Sequence, residues 1–176
     1  MSNASGITYL ADLPLRWQYE AMPSESALAL ARHANMTLLH ALSTLESTAE
    51  KDHDADPAVA KAVDRLEAKL DIALSLLTRL VAQQLELPAS SPVTLGVHQI
   101  EWRGVSDLPA VDALIKLNLY LSPRLPEPLQ LYSRVASSQA GLCTAEYLDK
   151  DEELEEWITR TLFRYHRRAL QARHQP

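Results

Sequence analysis

The sequence predicts an α+β protein: a small antiparallel β-barrel, a long heptad-repeat helical segment inside the chain, and a C-terminal helix. Three observations carry this prediction. Apolar residues recur at heptad spacing from Val59 to Leu87. After Pro88 the periodicity changes to alternation. From Asp149 onward it returns to helical spacing, with acid at the start and base at the end.

The long helix is the strongest signal. Asp56 supplies an N-cap oxygen and Pro57 stands at the first helical position, where its missing N–H costs nothing. Leu87-Pro88 ends the run, because a residue before proline is pushed out of the helical region. Between them Val59, Val63, Leu66, Leu70, Ala73, Leu77, Leu80, Gln84 and Leu87 alternate at spacings of four and three. In the second half the flanking positions Leu74, Leu76 and Val81 are apolar too. A two-stranded coiled coil keeps those flanks charged, so the wider arc points to a core of three or more helices. The alternative is a helix packed on its own domain.

The remaining elements follow in order. Leu13, Leu15, Trp17 and Tyr19 alternate with polar residues and form a strand, with Pro14 suited to an edge. Ser24 caps a helix reaching about Thr48, whose own heptad is Leu28, Ala31, Asn35, Leu38, Leu42 and Leu45. Asn35 is either a polar seam residue that fixes register or a surface asparagine on a slightly rotated helix. Glu46 to Asp56 is a polar, acidic connection. Val93, Leu95 and Val97 alternate, then Ile100 and Trp102 continue in the opposite phase, which predicts a β-bulge near His98-Gln99. Gly104 to Pro109 reads as a turn. Ile115, Leu117, Leu119 and Leu121 form a strand, Pro123 to Pro128 a rigid loop, Leu129 to Val135 another strand, and Leu142 to Tyr147 the last, after a turn at Ser137 to Gly141. Short strands at this spacing make a small barrel. The final helix buries Leu154, Trp157, Ile158, Leu162, Tyr165 and Ala169. Its charges match the helix dipole and read as a solvated face.

Composition bounds the function. The chain has 176 residues, 47% hydrophobic and 23% charged, with a net charge of −6, which argues against non-specific nucleic-acid binding. With one cysteine, Cys143, no internal disulfide forms, and the residue reads as a small buried hydrophobe. No signal peptide or membrane-length apolar run is visible, so a cytoplasmic location is expected. Four glycines cannot build a dinucleotide fingerprint or a phosphate loop, and no serine elbow occurs. His33 and His40 fall outside the first helix seam. His53-Asp54-Ala55-Asp56 offers ligand types, but Asp56 is already a cap. No catalytic residue, cofactor or metal is expected, and the chain is read as not an enzyme.

From Ser91 to the C-terminus the sequence resembles a PilZ domain, the small bacterial β-barrel known chiefly as a receptor for cyclic di-GMP. The likeness rests on Ser91-Pro92-Val93-Thr94-Leu95-Gly96-Val97, on Pro128 to Val135, and on Leu142 to Leu148 followed by an amphipathic helix. It implies that Leu13-Pro14-Leu15-Arg16-Trp17 is the first barrel strand, which then pairs with strands beyond Val93. The helices are in that case an insertion: residues 1–22 carry the first strand, 23–88 the helical pair, and 89–176 the rest of the barrel and the last helix. A barrel split in this way is similar to the atypical, tetrameric branch of the family.

The resemblance also fixes where a ligand would sit. Ligand-binding members use an Arg-x-x-x-Arg run and an Asp/Asn-x-Ser-x-x-Gly turn, whose guanidinium forks clamp phosphates and stack on guanine. Here Gly96 is kept, Ser91 stands in the Asp/Asn place and Val93 in the serine place. No arginine pair of that spacing precedes Gly96; Arg164 and Arg168 have it, but in the terminal helix. The expectation is therefore a non-enzymatic signalling adaptor in motility or virulence regulation, acting on a protein partner the sequence does not name. It is expected to form a homotetramer, with a dimer next, through Val59, Val63, Leu66, Leu70, Leu74, Leu77, Leu80 and Val81. The alternatives are a cyclic di-GMP receptor using non-standard residues such as Arg16, Arg103 or Arg134, and a coiled-coil scaffold whose barrel is only a spacer.

Overall fold

The computed structural model describes residues 6–46, 61–63, 65–66, 68–70, 72–73, 76–77, 87–104, 108–123 and 125–173. Six strands form a closed antiparallel barrel: β1 (Tyr9–Tyr19), β2 (Ser90–Leu95), β3 (Gln99–Arg103), β4 (Leu114–Leu119), β5 (Leu129–Gln139) and β6 (Leu142–Tyr147), in the spatial order β1-β2-β3-β6-β5-β4. Helix α1 (Glu25–Glu46) follows β1, and α3 (Glu152–Arg173) ends the chain. The described residues between 61 and 77 are helical and are called α2.

β1 closes the barrel by changing partner along its length. Tyr9 to Pro14 pair with β2, and Leu15 to Tyr19 pair with β4. The switch falls at Pro14, which has no N–H to donate and whose carbonyl accepts from the Tyr120 N–H at 3.0 Å. The first strand thus pairs with strands beyond Val93, and α1 is inserted between strands of one sheet. Alternation fills the interior with Leu15, Val93, Leu95, Ile100, Trp102, Ile115, Leu117, Leu119, Leu131, Val135, Cys143 and Ala145.

The two described long helices pack on that core. Ser24 accepts the Ala27 N–H to cap α1, and Asp151 accepts the Leu154 N–H to cap α3. Leu38, Leu39 and Leu42 of α1 and Leu154, Ile158 and Leu162 of α3 join the barrel residues in one cluster. The heptad of α1 is therefore spent within its own chain, on β5 and α3. It is not a coiled-coil seam.

Asn35 explains the heptad's polar member. It is 2% exposed, and its Nδ2 donates to the Gln130 carbonyl at 2.7 Å while its Oδ1 accepts the Gln130 N–H at 2.8 Å. β6 covers β5 only as far as Tyr147 and the Leu148 N–H, which donates to Tyr132 O. One step further along β5 the Gln130 peptide lacks a strand neighbour on that side, and the Asn35 carboxamide continues the ladder in its place. Neither sequence reading, seam residue or surface asparagine, describes this role.

Other expectations are corrected by turn chemistry. The phase change after Val97 is a hairpin: Leu95 pairs with Ile100, and Gly96 N–H donates to Gln99 O at 2.9 Å. The bulge lies instead in β5, between Val135 and Ser137. β5 runs on to Gln139, so the turn is only Ala140-Gly141, with φ of 51° and 77°. Two successive positive φ values are those of a type I′ hairpin, whose twist matches the flanking strands. On α3, Ala169 is exposed and Thr161 takes a buried place. Asp56, the 53–56 ligand types and most of the acidic connection lie outside the described residues.

Candidate functional site

Two surfaces hold the positions singled out by sequence: the β2–β3 hairpin and α2. In the hairpin, Gly96 is buried, and a Cβ there would come within 3.1 Å of Gln99 O. This is a close backbone approach that favours glycine. Tyr147 holds the turn from below, its hydroxyl donating to Gln99 O at 3.0 Å and Gly96 O at 3.2 Å. Burial pushes that hydroxyl's pKa well up, so it remains a donor. Val93 has no exposed surface and lies opposite Trp102 in the core, while Ser91 is half-buried opposite Leu13. Val93 is thus a core side chain that no ligand can reach.

The electrostatics beside the hairpin are acidic. An open concavity of about 350 Å³ is lined by His98, Gln99, Glu146, Lys150 and Glu155. His98 Nδ1 lies 3.2 Å from a Glu155 oxygen. Two carboxylates face that space, against Lys150. No described arginine lines it, although Arg134 lies across the strands from Glu146 in its wall. Arg16 is on β1 opposite Asn118, Arg103 ends β3 opposite Leu142, and Arg134 is on β5 between Leu114 and Glu146. Arg164 and Arg168 lie on α3. Cys143 is fully buried, and burial pushes its thiol up to about 11, which leaves it protonated and inert at neutral pH.

A third feature was missed by sequence reading. Arg32 of α1 forks onto Asp149, with Nε to Oδ2 at 2.9 Å and Nη2 to Oδ1 at 2.8 Å, and its Nη1 lies 3.3 Å from Asp151. The hydrogen bond to Asp149 raises the guanidinium's pKa further. This fork ties α1 to the start of α3. Arg32 and Asp149 are 117 residues apart, and only the fold brings them together.

On α2 every described residue is exposed. Val63 is 46% exposed, Leu66 59%, Leu70 54% and Leu77 57%, with Ile72 and Leu76 beside them. Val59, Leu74, Leu80 and Val81 lie outside the described residues. Within one chain, then, the described stripe meets no core of its own, whereas the face of α1 does. These apolar side chains are covered by no other described part of the chain. Among the described residues no group of three or more metal-ligating side chains occurs, and no helix is long and apolar enough to cross a membrane.

A closed six-stranded barrel, packed against two helices and turning on a buried glycine hairpin, is a PilZ-like domain. The model of a family described as "Atypical PilZ domain, cyclic di-GMP receptor" matches residues 39–174, and the chain belongs to that family. It is also similar to a solved structure, a pathogenic protein from Xanthomonas campestris described as a tetrameric PilZ domain self-assembled through a helical bundle. That match has 27% identity and a TM-score of 0.74, and covers 96% of this chain and 92% of the other. No curated protein shows significant similarity.

Proposed function

We propose that this chain is a non-enzymatic cytoplasmic signalling adaptor of the atypical PilZ family. Residues 23–88 act as its oligomerisation insertion, and it does not take cyclic di-GMP through the usual motif. The observation that carries the reading is the exposed stripe of α2. Val63, Leu66, Leu70 and Leu77 are about half exposed on a helix whose neighbour α1 has already committed its apolar face to the barrel. Four chains contributing this helix bury the stripe together with the wider apolar flank of its second half, in keeping with the tetrameric Xanthomonas neighbour. A dimer buries less of that flank.

The ligand side rests on Val93, Glu146 and Glu155. The serine place is in the core, and two carboxylates border the hairpin where an anionic dinucleotide would lie. Each missing arginine–phosphate bond forfeits about 1.5–3 kcal/mol. Two of them weaken a micromolar ligand by orders of magnitude.

The test combines light scattering with calorimetry. The parent gives four chains. Leu70→Asp with Leu77→Asp gives fewer, because burying unpaired carboxylates costs several kcal/mol per chain. Both positions are exposed in the single chain, so the barrel still folds. Cyclic di-GMP gives no heat at micromolar concentration. A monomeric parent refutes the assembly. Low-micromolar binding refutes the ligand reading and restores the alternative, a receptor with non-standard residues.

A further inference from the structure

The outer face of α3 carries a second, smaller seam. Glu156, Arg160, Phe163, Arg167 and Leu170 recur at spacings of four and three, opposite the buried Leu154, Ile158, Leu162 and Tyr165. Phe163 is 59% and Leu170 45% exposed, and Glu156, Arg160 and Arg167 are exposed beside them. Phe163 is the chain's one phenylalanine, and heptad spacing is the geometry by which one helix receives another.

The charges along this helix say which helix. Its start holds Asp151, Glu152, Glu153, Glu155 and Glu156; beyond Glu156 there is no acid, while Arg160, Arg164, Arg167, Arg168 and Arg173 follow. A partner of one sign, such as an anionic membrane or an acidic protein segment, would match one half and be repelled by the other. A parallel copy would set like on like. An antiparallel copy of the same helix sets the acidic first turns of each against the basic last turns of the other, and gives Glu156, paired with Arg160 inside its own helix, a second arginine to face.

We propose that the outer faces of α3 from two copies of this chain pair antiparallel about a two-fold axis. Glu156 lies opposite Arg167 of the second copy, and Phe163 packs over the Arg160 stem near the axis. The contact is isologous, each salt bridge occurring twice. One helix face is smaller than the ~1,200 Å² of a stable interface, so the pairing is weak between separate chains. It strengthens when chains are already held together, through raised effective concentration. Only that strengthening rests on the α2 reading.

The experiment uses the full-length chain carrying Leu70→Asp and Leu77→Asp, studied by sedimentation equilibrium at low salt. The expected result is a monomer–dimer equilibrium in the high-micromolar range, with Phe163→Ser or Arg167→Glu each weakening it at least ~10-fold. Glu156→Arg alone also weakens it, and Glu156→Arg combined with Arg167→Glu returns it to within ~3-fold of the background. Circular dichroism checks that each variant is folded; all three positions are exposed. A background chain monomeric at ~1 mM, a dimer indifferent to Phe163→Ser, or a double swap no stronger than its singles overturns the proposal. So does Arg167-dependent adsorption to phosphatidylglycerol vesicles without dimerisation, which would make the face a membrane contact. If the background stays tetrameric, the α2 reading has failed; Phe163→Ser or Arg167→Glu lowering the number of chains, with the double swap restoring it, then supports the α3 pairing, and a tetramer indifferent to them overturns it.

Discussion

Replacing Asn35 tests the junction between the inserted helix and the barrel. Its carboxamide makes both hydrogen bonds of the Gln130 peptide on the side where β6 has ended, at 2.7 and 2.8 Å, and the residue is buried. Asn35→Leu fills similar space but leaves a buried N–H and a buried carbonyl without partners. Each orphaned group costs about 1–3 kcal/mol, so the expected loss for the two is about 2–6 kcal/mol. Asn35→Asp keeps the acceptor for Gln130 N–H but sets a carboxylate against Gln130 O, and should cost at least as much. The assay is urea unfolding followed by tryptophan fluorescence, at one fixed chain concentration because oligomerisation shifts apparent stability. With a slope of about 2 kcal/mol per molar urea, the midpoint falls by roughly 1–3 M. The number of chains measured by light scattering should not change. A loss below ~0.5 kcal/mol would refute the ladder argument. A changed oligomeric state in Asn35→Leu would return the residue to a seam role.

Other consequences are testable in the same way. Ala140 holds φ of 51° in the β5–β6 turn, so Ala140→Asn, which tolerates that region, should raise stability by about 0.5–1 kcal/mol in urea. Gly96→Ala should destabilise and broaden amide resonances of the β2–β3 hairpin, because its Cβ meets Gln99 O at 3.1 Å; an unchanged spectrum would show that the turn relaxes freely. Arg32→Ala should cost about 1–2 kcal/mol, and Arg32→Lys should recover little of it, because one ammonium cannot span both Asp149 oxygens. Cys143, pushed by burial from 9.0 up to about 11, should resist thiol reagents at pH 8 until the chain unfolds. The folded state holds this proton more tightly than the unfolded one. Stability is therefore intact below pH 9 and falls as pH rises from about 9 to 11, by up to ~2 kcal/mol, and Cys143→Ala should lessen that slope.

Sequence alone determined the elements whose signal is periodic. Alternation marked the residues of every strand, because a barrel wall has one buried face and its side-chain period is two, but it ran β2 and β3 together as one bulged strand. Ser24 and the acidic opening of α3 marked helix starts because capping is local. The stripe of α2 was legible for the same reason, as heptad spacing is a property of one segment. Sequence also raises the expectation that Ser91 and Val93 depart from the ligand motif, since a motif is a string.

Tertiary structure decided everything that depends on what a periodic face meets. The heptads of α1 and α2 look alike in the sequence, yet Leu38, Leu39 and Leu42 enter the core of their own barrel, while Leu66, Leu70 and Leu77 remain exposed. Periodicity states that a face must be covered; it carries no information about the cover. Asn35 was misread because its partner is a peptide 95 residues away, on the one stretch of β5 that β6 fails to reach. The fork of Arg32 on Asp149 and the hold of Tyr147 on Gly96 and Gln99 escaped notice for the same reason. The hairpin taken for a bulge shows the remaining limit. A phase change in apolar alternation is common to both, and only the pairing of Leu95 with Ile100 separates them. Local sequence sets which residues seek burial and where the backbone turns. Which surfaces meet, and which stay exposed, is fixed by strand register and closure of the barrel, and these are properties of the whole chain.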